Sequence, residues 1–299
     1  MFRKNTIKDS LGDRIFMLCI YLFLIIVLCA VLYPLLFIIS SSFSSSRAVV
    51  SGSVWLFPVD FTTRAYAAIF NSKQIMMGYY NSIVYMVFGT MINLLFTVLI
   101  AYPLSQKHFY GRGVVMTMMM ATVFFGGGLI PDYLLVKNLG LLDTRWALWL
   151  PGAFGVFNVI VARTFFQTSI PPEMQEAAQI DGCGDTRYLV SIVLPLSKPI
   201  LAVMTLFYAV GHWNAFFSAL IYLRSEELFP LQYVLRNILI LNATDPEMMA
   251  ASTQEMRDQG FQQVLKYAVI VAASLPVLLI YPFVQRHFVK GVMIGSLKG

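Results

Sequence analysis

The chain has 299 residues, of which 58% are hydrophobic and only 12% are charged, with a formal net charge of +6. A soluble domain has about 45–50% apolar and about 25% charged residues, so these values exclude an ordinary soluble globular protein. The basic residues are spread between apolar runs and form no dense cluster, which argues against nucleic-acid binding. The three cysteines, Cys19, Cys29 and Cys183, have the spacing of neither a disulfide framework nor a metal site.

Six apolar segments free of Asp, Glu, Lys and Arg predict an all-α, polytopic membrane protein with six transmembrane helices. About 20 apolar residues cross the hydrocarbon, and a central charge costs about 2.5–3.5 kcal/mol. We expect one transmembrane domain over residues 1–299, with the first span retained as an anchor because it exceeds a signal peptide in length. The predicted spans lie near residues 15–39, 79–104, 114–137, 146–166, 197–223 and 264–285.

The positions of lysine and arginine predict that both termini are cytoplasmic. With the N-terminus inside, the inner segments hold twelve of the 21 basic residues although they are the shorter set. Two spans contain helix-breaking residues, namely Gly126–Gly128 with Pro131 in the third and Pro151 with Gly152 in the fourth. Such breaks either line a watery cavity and act as a hinge, or serve close helix packing.

Residues 167–195 form a polar loop on the predicted cytoplasmic side. Within it, Ser169 is expected to cap a helix, Pro172 suits its first turn, and Glu173 complements the positive end of the dipole. Gly182 is expected to end this helix in the left-handed conformation. The pattern predicts a short amphipathic helix at the membrane surface, with small side chains available to a partner.

The same loop carries Glu-Ala-Ala, a glycine six positions after the glutamate, and Ile-x-Leu-Pro ten positions further on. This pattern resembles the EAA signature of permeases in binding-protein-dependent ABC importers. The resemblance implies a six-helix core and a cytoplasmic coupling helix that docks into a cleft of an ATPase subunit. It assigns ATPase coupling to Glu176, Ala177, Ala178, Gly182, Ile192, Leu194 and Pro195.

Further likenesses narrow the family branch. The chain resembles the smaller permease of maltose-type sugar importers, whose tail reaches between the ATPases, a role that falls here to Leu297, Lys298 and Gly299. The stretch 124–131 resembles permeases for complex or acidic oligosaccharides, alginate-type polysaccharides included. These likenesses imply a bacterial inner-membrane location, a second permease as heterodimer partner, two ATP-binding subunits that hold ATP and magnesium, and an extracytoplasmic solute-binding protein. They imply no cofactor or metal in this chain.

Four neighbouring side chains in the fifth span are candidates for the sugar path: Tyr208, His212, Trp213 and Asn214. An intramembrane histidine is a functional-site hypothesis by default, and sugars bind to aromatic faces and amides. The alternative is that Trp213 packs against a neighbouring helix and His212 bonds a carbonyl group. For Asn93 and Asn158, hydrogen bonding between helices is the commoner role.

Two other functional classes fit the sequence less well. A secondary transporter or channel would couple through membrane-embedded carboxylates or lysines, which the six predicted spans lack. An intramembrane enzyme would need a nucleophile with a base, or metal ligands, and His108, His212 and His287 are too scattered to supply them. We therefore expect a non-catalytic chain.

Overall fold

The computed structural model describes residues 10–240 and 259–296, with side chains described for residues 10–240 and 260–279. Two units make up the chain. One unit combines the chain up to Ile69 with residues 246–272, and the other combines residues 70–245 with the chain from Ala273. All regular elements in the described ranges are helical, which confirms the all-α prediction.

The first unit is built on α1 (Leu11–Ser42), which begins at a capping box. The Ser10 hydroxyl accepts from the Asp13 N–H group, and the Asp13 carboxylate accepts from the Ser10 N–H group at 3.1 Å. The unit also contains two short helices, α2 (Ser46–Val50) and α3 (Arg64–Asn71). Serine hydroxyls stabilise the end of α1 against the following loop, as the Ser40 hydroxyl donates to the Leu56 carbonyl at 2.6 Å.

The second unit is organised around α4 (Lys73–Ser105), which packs against helices from later in the chain. Small and polar side chains on its buried face permit this close packing. The other helices are α5 (Arg112–Phe124), α6 (Leu129–Asn138), α7 (Trp146–Trp149), α8 (Val156–Ser169), α9 (Pro172–Ile180), α10 (Asp185–Tyr188), a π-helical turn (Leu189–Val193), α11 (Leu194–Leu196), α12 (Lys198–Trp213), α13 (Phe217–Tyr222), a 3-10 turn (Glu226–Leu228) and α14 (Leu231–Ile240). The last helix, α15 (Gln259–Ser296), has residues in both units.

Three helical stretches are individually long and apolar enough to cross a membrane: α1, α4 and Gly260–Leu279 of α15. Two further pairs qualify only as bent spans. Helices α5 and α6 meet at 115°, and Asp185–Leu196 meets α12 at 81°. By length and composition the described chain therefore offers between three and five spans, and the predicted number of six stays a prediction.

The structure confirms both helix breaks that the sequence indicated. Residues 125–128 separate α5 from α6, and Gly128 has a φ of +84°, in the region that favours glycine. Residues 150–155 separate α7 from α8. Because α8 alone has 14 residues, the fourth predicted span is not one continuous helix.

The fifth predicted span differs from the expectation of one helix over 197–223. Helix α12 ends at Trp213, and α13 begins only at Phe217. The Asn214 amide donates to the Val210 carbonyl at 2.9 Å. Asparagine side chains that bond the backbone locally compete with helix continuation, which accounts for the break.

Asp143 connects two loops on the predicted outer side of the second unit. Its carboxylate accepts the N–H groups of Arg224 and Ser225, both at 2.8 Å, and the Ser225 hydroxyl. These hydrogen bonds hold the pKa of the carboxyl below its ordinary value, with the Ser225 hydroxyl as the largest cause. The charged form thus stabilises the fold above the ordinary carboxyl pKa, and this contribution is lost as pH falls through the lowered value.

We expect Asp143→Asn to lower the thermal midpoint of the purified protein slightly at neutral pH, because the amide is a weaker acceptor than the carboxylate. The difference from wild type should shrink as pH falls below the ordinary carboxyl pKa, since protonation makes the wild-type group resemble the variant. Melting curves between neutral pH and about pH 3 check this. A difference that is constant with pH would show that the charge has no role.

Candidate coupling helix and transport path

Helix α9 is the predicted coupling helix, and its ends explain its length. Pro171 has extended backbone dihedrals, and Pro172 occupies the first turn, where the missing N–H group costs nothing. The expectation that Ser169 caps the helix was wrong, because Ser169 is the last residue of α8. Helix α9 begins at Pro172 because Pro171 precedes a proline, and a residue in that position is disfavoured in the helical region.

The C-terminus of α9 closes as the sequence predicted. Gly182 has a φ of +75° and donates its N–H to the Gln179 carbonyl at 3.0 Å. The Cys183 N–H donates to the Ala178 carbonyl at 2.8 Å. This pair of bonds is the Schellman motif, which satisfies two of the free carbonyls at the helix end.

The two alanines of the signature face different surroundings. Ala178 is only 8% exposed and belongs to a hydrophobic cluster with Phe166 and Tyr188 of the same chain. Ala177 is exposed, and the neighbouring Glu176 and Ile180 are also on the surface. Successive helical residues point about 100° apart, so one alanine anchors α9 while the next faces outward. The expectation that both alanines are available to a partner is therefore corrected for Ala178.

The remaining signature residues shape the path from the loop into α12. Ile192 lies in the π-helical turn and packs against the same cluster as Ala178. Leu194 and Pro195 lie in α11, just before the bend into α12. Proline lacks the N–H group of a regular helical turn, and π-turns and kinks collect at such positions. Ile192, Leu194 and Pro195 thus lie where the chain passes from the loop into α12.

A cavity of about 700 Å³ lies beside α9, between the ends of α4 and α8 and the loop that follows α4. Two hydrogen bonds connect α8 to the end of α4 beside this cavity. Arg163 Nε donates to the Leu104 carbonyl at 2.9 Å, and the Gln167 amide donates to the Ser105 carbonyl at 3.2 Å. Lys107 and Arg112 also line it. From the sequence, these basic residues were identified only as the ends of apolar segments without charges, and the cavity was not predicted.

Trp213 is placed as a packing residue. Its side chain is 1% exposed, and its indole N–H donates to the Ala273 carbonyl of α15 at 3.1 Å. The Tyr79 ring lies 6.3 Å away, centroid to centroid. A buried indole with a satisfied N–H offers no open face to a sugar in this conformation.

Tyr208 and His212 belong to a hydrogen-bond network that reaches the backbone between α7 and α8. The Asn93 amide donates to the Gly152 carbonyl, and His212 Nε2 lies 2.6 Å from the Asn93 side-chain oxygen. The Tyr208 hydroxyl accepts from the Gly155 N–H at 3.2 Å. Freed backbone groups in a membrane need such internal partners. The interhelical hydrogen bond expected of Asn93 is confirmed, since Asn93 of α4 bonds His212 of α12. Tyr208 bonds the same interhelical segment through the Gly155 N–H.

The remaining predicted site residues are placed differently. Asn214 is exposed just after the end of α12, and its assignment to the sugar path stays a prediction. The tail residues Leu297, Lys298 and Gly299 lie outside the described residues.

Gly89 provides the room that His212 needs. A Cβ atom built on Gly89 would overlap the His212 imidazole. We therefore expect Gly89→Ala to lower the free energy of unfolding by roughly 1–3 kcal/mol, as overpacked cores do. Gly113→Ala in α5 is the matched control, because, apart from its chain neighbours and the backbone of its own helix, no atom of the described chain lies within 4 Å of its Cβ position. The double variant Gly89→Ala/His212→Ala should regain part of the loss, and an equal loss in both glycine variants would contradict the packing argument.

Comparison with known proteins identifies the family to which the chain is similar. The family described as binding-protein-dependent transport system inner membrane component matches residues 75–294. Protein LplC of Bacillus subtilis (strain 168) is 43% identical over 298 residues, covering 99% of each chain. The polygalacturonan/rhamnogalacturonan transport system permease protein YtcP of the same organism is 41% identical and covers 96% of this chain and 99% of its own.

A solved structure agrees with this match. A chain in the crystal structure of a bacterial ABC transporter involved in the import of the acidic polysaccharide alginate is 37% identical, with a TM-score of 0.89. The alignment covers 95% of this chain and 100% of that one. The agreement extends over nearly the whole fold.

Proposed function

Because this chain belongs to the family of inner membrane components of binding-protein-dependent transport systems, we propose that it is the permease subunit of an ATP-driven importer of acidic oligosaccharides. The proposal rests on α9, a short helix with a complete EAA pattern, which is anchored by the buried Ala178 and exposed at Ala177. One side of such a helix packs against its own chain, and the other side is exposed to a partner. Movement of a docked partner is therefore passed to the rest of the chain.

The substrate class rests on two relatives that agree. One carries polygalacturonan and rhamnogalacturonan in its name, and the other comes from a transporter of the acidic polysaccharide alginate. Both exceed 35% identity over most of the chain. We infer that this permease forms half of the path for an oligosaccharide rich in sugar carboxylates.

The partners follow from the same assignment. A second, homologous permease completes the path, and two ATP-binding subunits supply ATP hydrolysis with their own bound ATP and magnesium. An extracytoplasmic solute-binding protein delivers the sugar. This chain then performs no chemistry itself, and its tail at Leu297–Gly299 reaches between the ATPases.

Uptake in whole cells tests the substrate assignment. In a strain that lacks this permease, uptake of labelled oligogalacturonate should be lost and should return with the wild-type gene. Uptake of a neutral maltooligosaccharide should be unaffected in either strain. Normal oligogalacturonate uptake in the deletion strain, or loss of the neutral sugar instead, would contradict the proposed substrate class.

The proposed topology places α9 in the cytoplasm and the loop after α2 outside. In a variant whose three cysteines are replaced, Ser51→Cys should react with an impermeant maleimide added to intact cells, whereas Gln179→Cys should react only after permeabilisation. Both positions are exposed, so access rather than burial decides the result. Labelling of Gln179→Cys in intact cells would reverse the orientation.

A further inference from the structure

The cavity beside α9 has a wall that is unusually rich in positive charge. Three side chains that are cationic at neutral pH line it, together with one histidine and one carboxylate, that of Glu176. The basic residues come from the loop after α4, from α5 and from α8, so three separate segments converge on one space. The basic lining consists of Lys107, His108, Arg112 and Arg163.

Among the residues that the structure describes, each of the two arginines makes a single hydrogen bond. Arg163 donates through Nε to the Leu104 carbonyl at 2.9 Å, and Arg112 donates through Nη1 to the Gln106 carbonyl at 3.4 Å. Within the described ranges, neither arginine has a carboxylate at ion-pair distance. A guanidinium has five N–H donors, so each retains several for an anion.

Two tyrosines in the same wall add an independent observation. Tyr102 and Tyr188 are 7% and 3% exposed, and the hydroxyl of each is buried without a hydrogen-bond partner in the described chain. Both residues line the cavity. Buried hydroxyls normally have partners, and orphaned ones indicate a group that the chain itself does not supply. An oxyanion that accepts from hydroxyl and guanidinium donors would satisfy both sets at once.

The surroundings indicate the source of the anion. The cavity lies where α4 ends and α5 begins, which is the cytoplasmic boundary in the proposed topology. Next to it, α5 exposes Val114, Val115 and Met118. A basic cavity between helices on the cytoplasmic side, beside exposed apolar side chains, suits a phospholipid whose phosphate enters the cavity and whose chains lie along the helix.

We propose that this cavity binds the phosphate headgroup of an anionic phospholipid of the cytoplasmic leaflet. The headgroup lies between Arg112 and Arg163 and contacts the inner side of α9, where Gln175 and Gln179 line the same space. The bound lipid thereby supports the coupling helix from behind, so that coupling to ATP hydrolysis depends on anionic lipid. The choice of the cytoplasmic leaflet rests on the proposed topology, and the effect on coupling rests on the proposed function.

The binding is tested on the complete transporter, purified and placed in nanodiscs of phosphatidylcholine with a trace of photoactivatable phosphatidylglycerol. Without ATP or sugar, irradiation should crosslink the lipid to this chain in wild type. The crosslink should fall about tenfold or more in Arg112→Gln/Arg163→Gln, because the basic residues supply the attraction. Lys137→Gln, an exposed lysine of α6, is the control and should crosslink as wild type does.

Two outcomes overturn the proposal. Equal crosslinking in the double variant would show that the arginines do not hold the lipid, and loss of the crosslink on addition of inorganic phosphate would assign the site to a free anion. If the double variant does not assemble, Arg112→Gln alone replaces it, because Arg112 makes only one long hydrogen bond to its own loop.

The consequence is measured separately, as ATPase activity stimulated by the loaded binding protein. In wild type, nanodiscs with added phosphatidylglycerol should show several-fold higher stimulated activity than phosphatidylcholine alone, and Arg112→Gln/Arg163→Gln should lose that difference. A crosslink without any stimulated ATPase activity in any lipid would count against the proposed function and leave the lipid site standing. A crosslink with stimulation that is independent of lipid would overturn the regulatory role.

Discussion

Replacing Ala177 with tryptophan is expected to abolish sugar uptake while the protein inserts and folds normally. Ala177 is exposed on α9 and lies outside the hydrophobic cluster that holds Ala178, so the added ring has space within this chain. The same ring would hold α9 out of an ATPase cleft shaped for a methyl group. We expect uptake below about 1% of wild type, a loss equivalent to about 2.7 kcal/mol of coupling free energy.

The control variants separate docking from folding. Ala121→Trp places the same bulk on an exposed alanine of α5 and should leave uptake unchanged. Ala178→Trp inserts the bulk into the cluster that contains Phe166, and should lower the thermal midpoint of the chain itself. Uptake and co-purification of the ATPase are compared at matched membrane abundance. Normal uptake with a full complement of ATPase in Ala177→Trp would remove α9 from the coupling interface.

The second large effect is expected at Trp213, for reasons of packing. Trp213→Ala should lower the free energy of unfolding by roughly 3–5 kcal/mol, since it removes a large buried side chain between α12 and α15. Trp213→Leu and Trp213→Phe should recover most of the loss. The hydrogen bond to the Ala273 carbonyl accounts for only about 0.5–1.5 kcal/mol of the total.

Uptake by the same variants tests the alternative that Trp213 stacks on a sugar. A stacking role would be restored by phenylalanine or tyrosine but not by leucine, whereas a packing role is restored by leucine as well. Trp55→Ala is the control, because Trp55 is 69% exposed and its removal should cost little. Loss of uptake in a stable Trp213→Leu variant would return Trp213 to the sugar path.

Features that depend on local backbone chemistry were predictable from the sequence. Gly182 ends α9 in the left-handed region because a Schellman closure needs that conformation, and the glycines at 126–128 mark the break before α6. Each prediction used only residues a few positions apart. The EAA pattern was equally local, and the family that it indicated is confirmed by the match over residues 75–294.

Features that depend on tertiary packing were not predictable in the same way. Nothing in the spacing of Ala177 and Ala178 shows which one faces the core, because that depends on where Phe166 and Tyr188 lie in space. Sequence spacing also gives no sign that the His212 ring lies against Asn93, more than a hundred positions earlier. The basic cavity beside α9 is likewise assembled from segments far apart in sequence.

Uptake into proteoliposomes tests whether this chain is a permease driven by external ATPases. The complete complex is reconstituted with ATP on the side that exposes Gln179 and with loaded binding protein on the other side. We expect uptake of acidic oligosaccharide only when ATP and binding protein are both present, and none with Ala177→Trp. Uptake driven by an ion gradient without ATP would contradict this expectation.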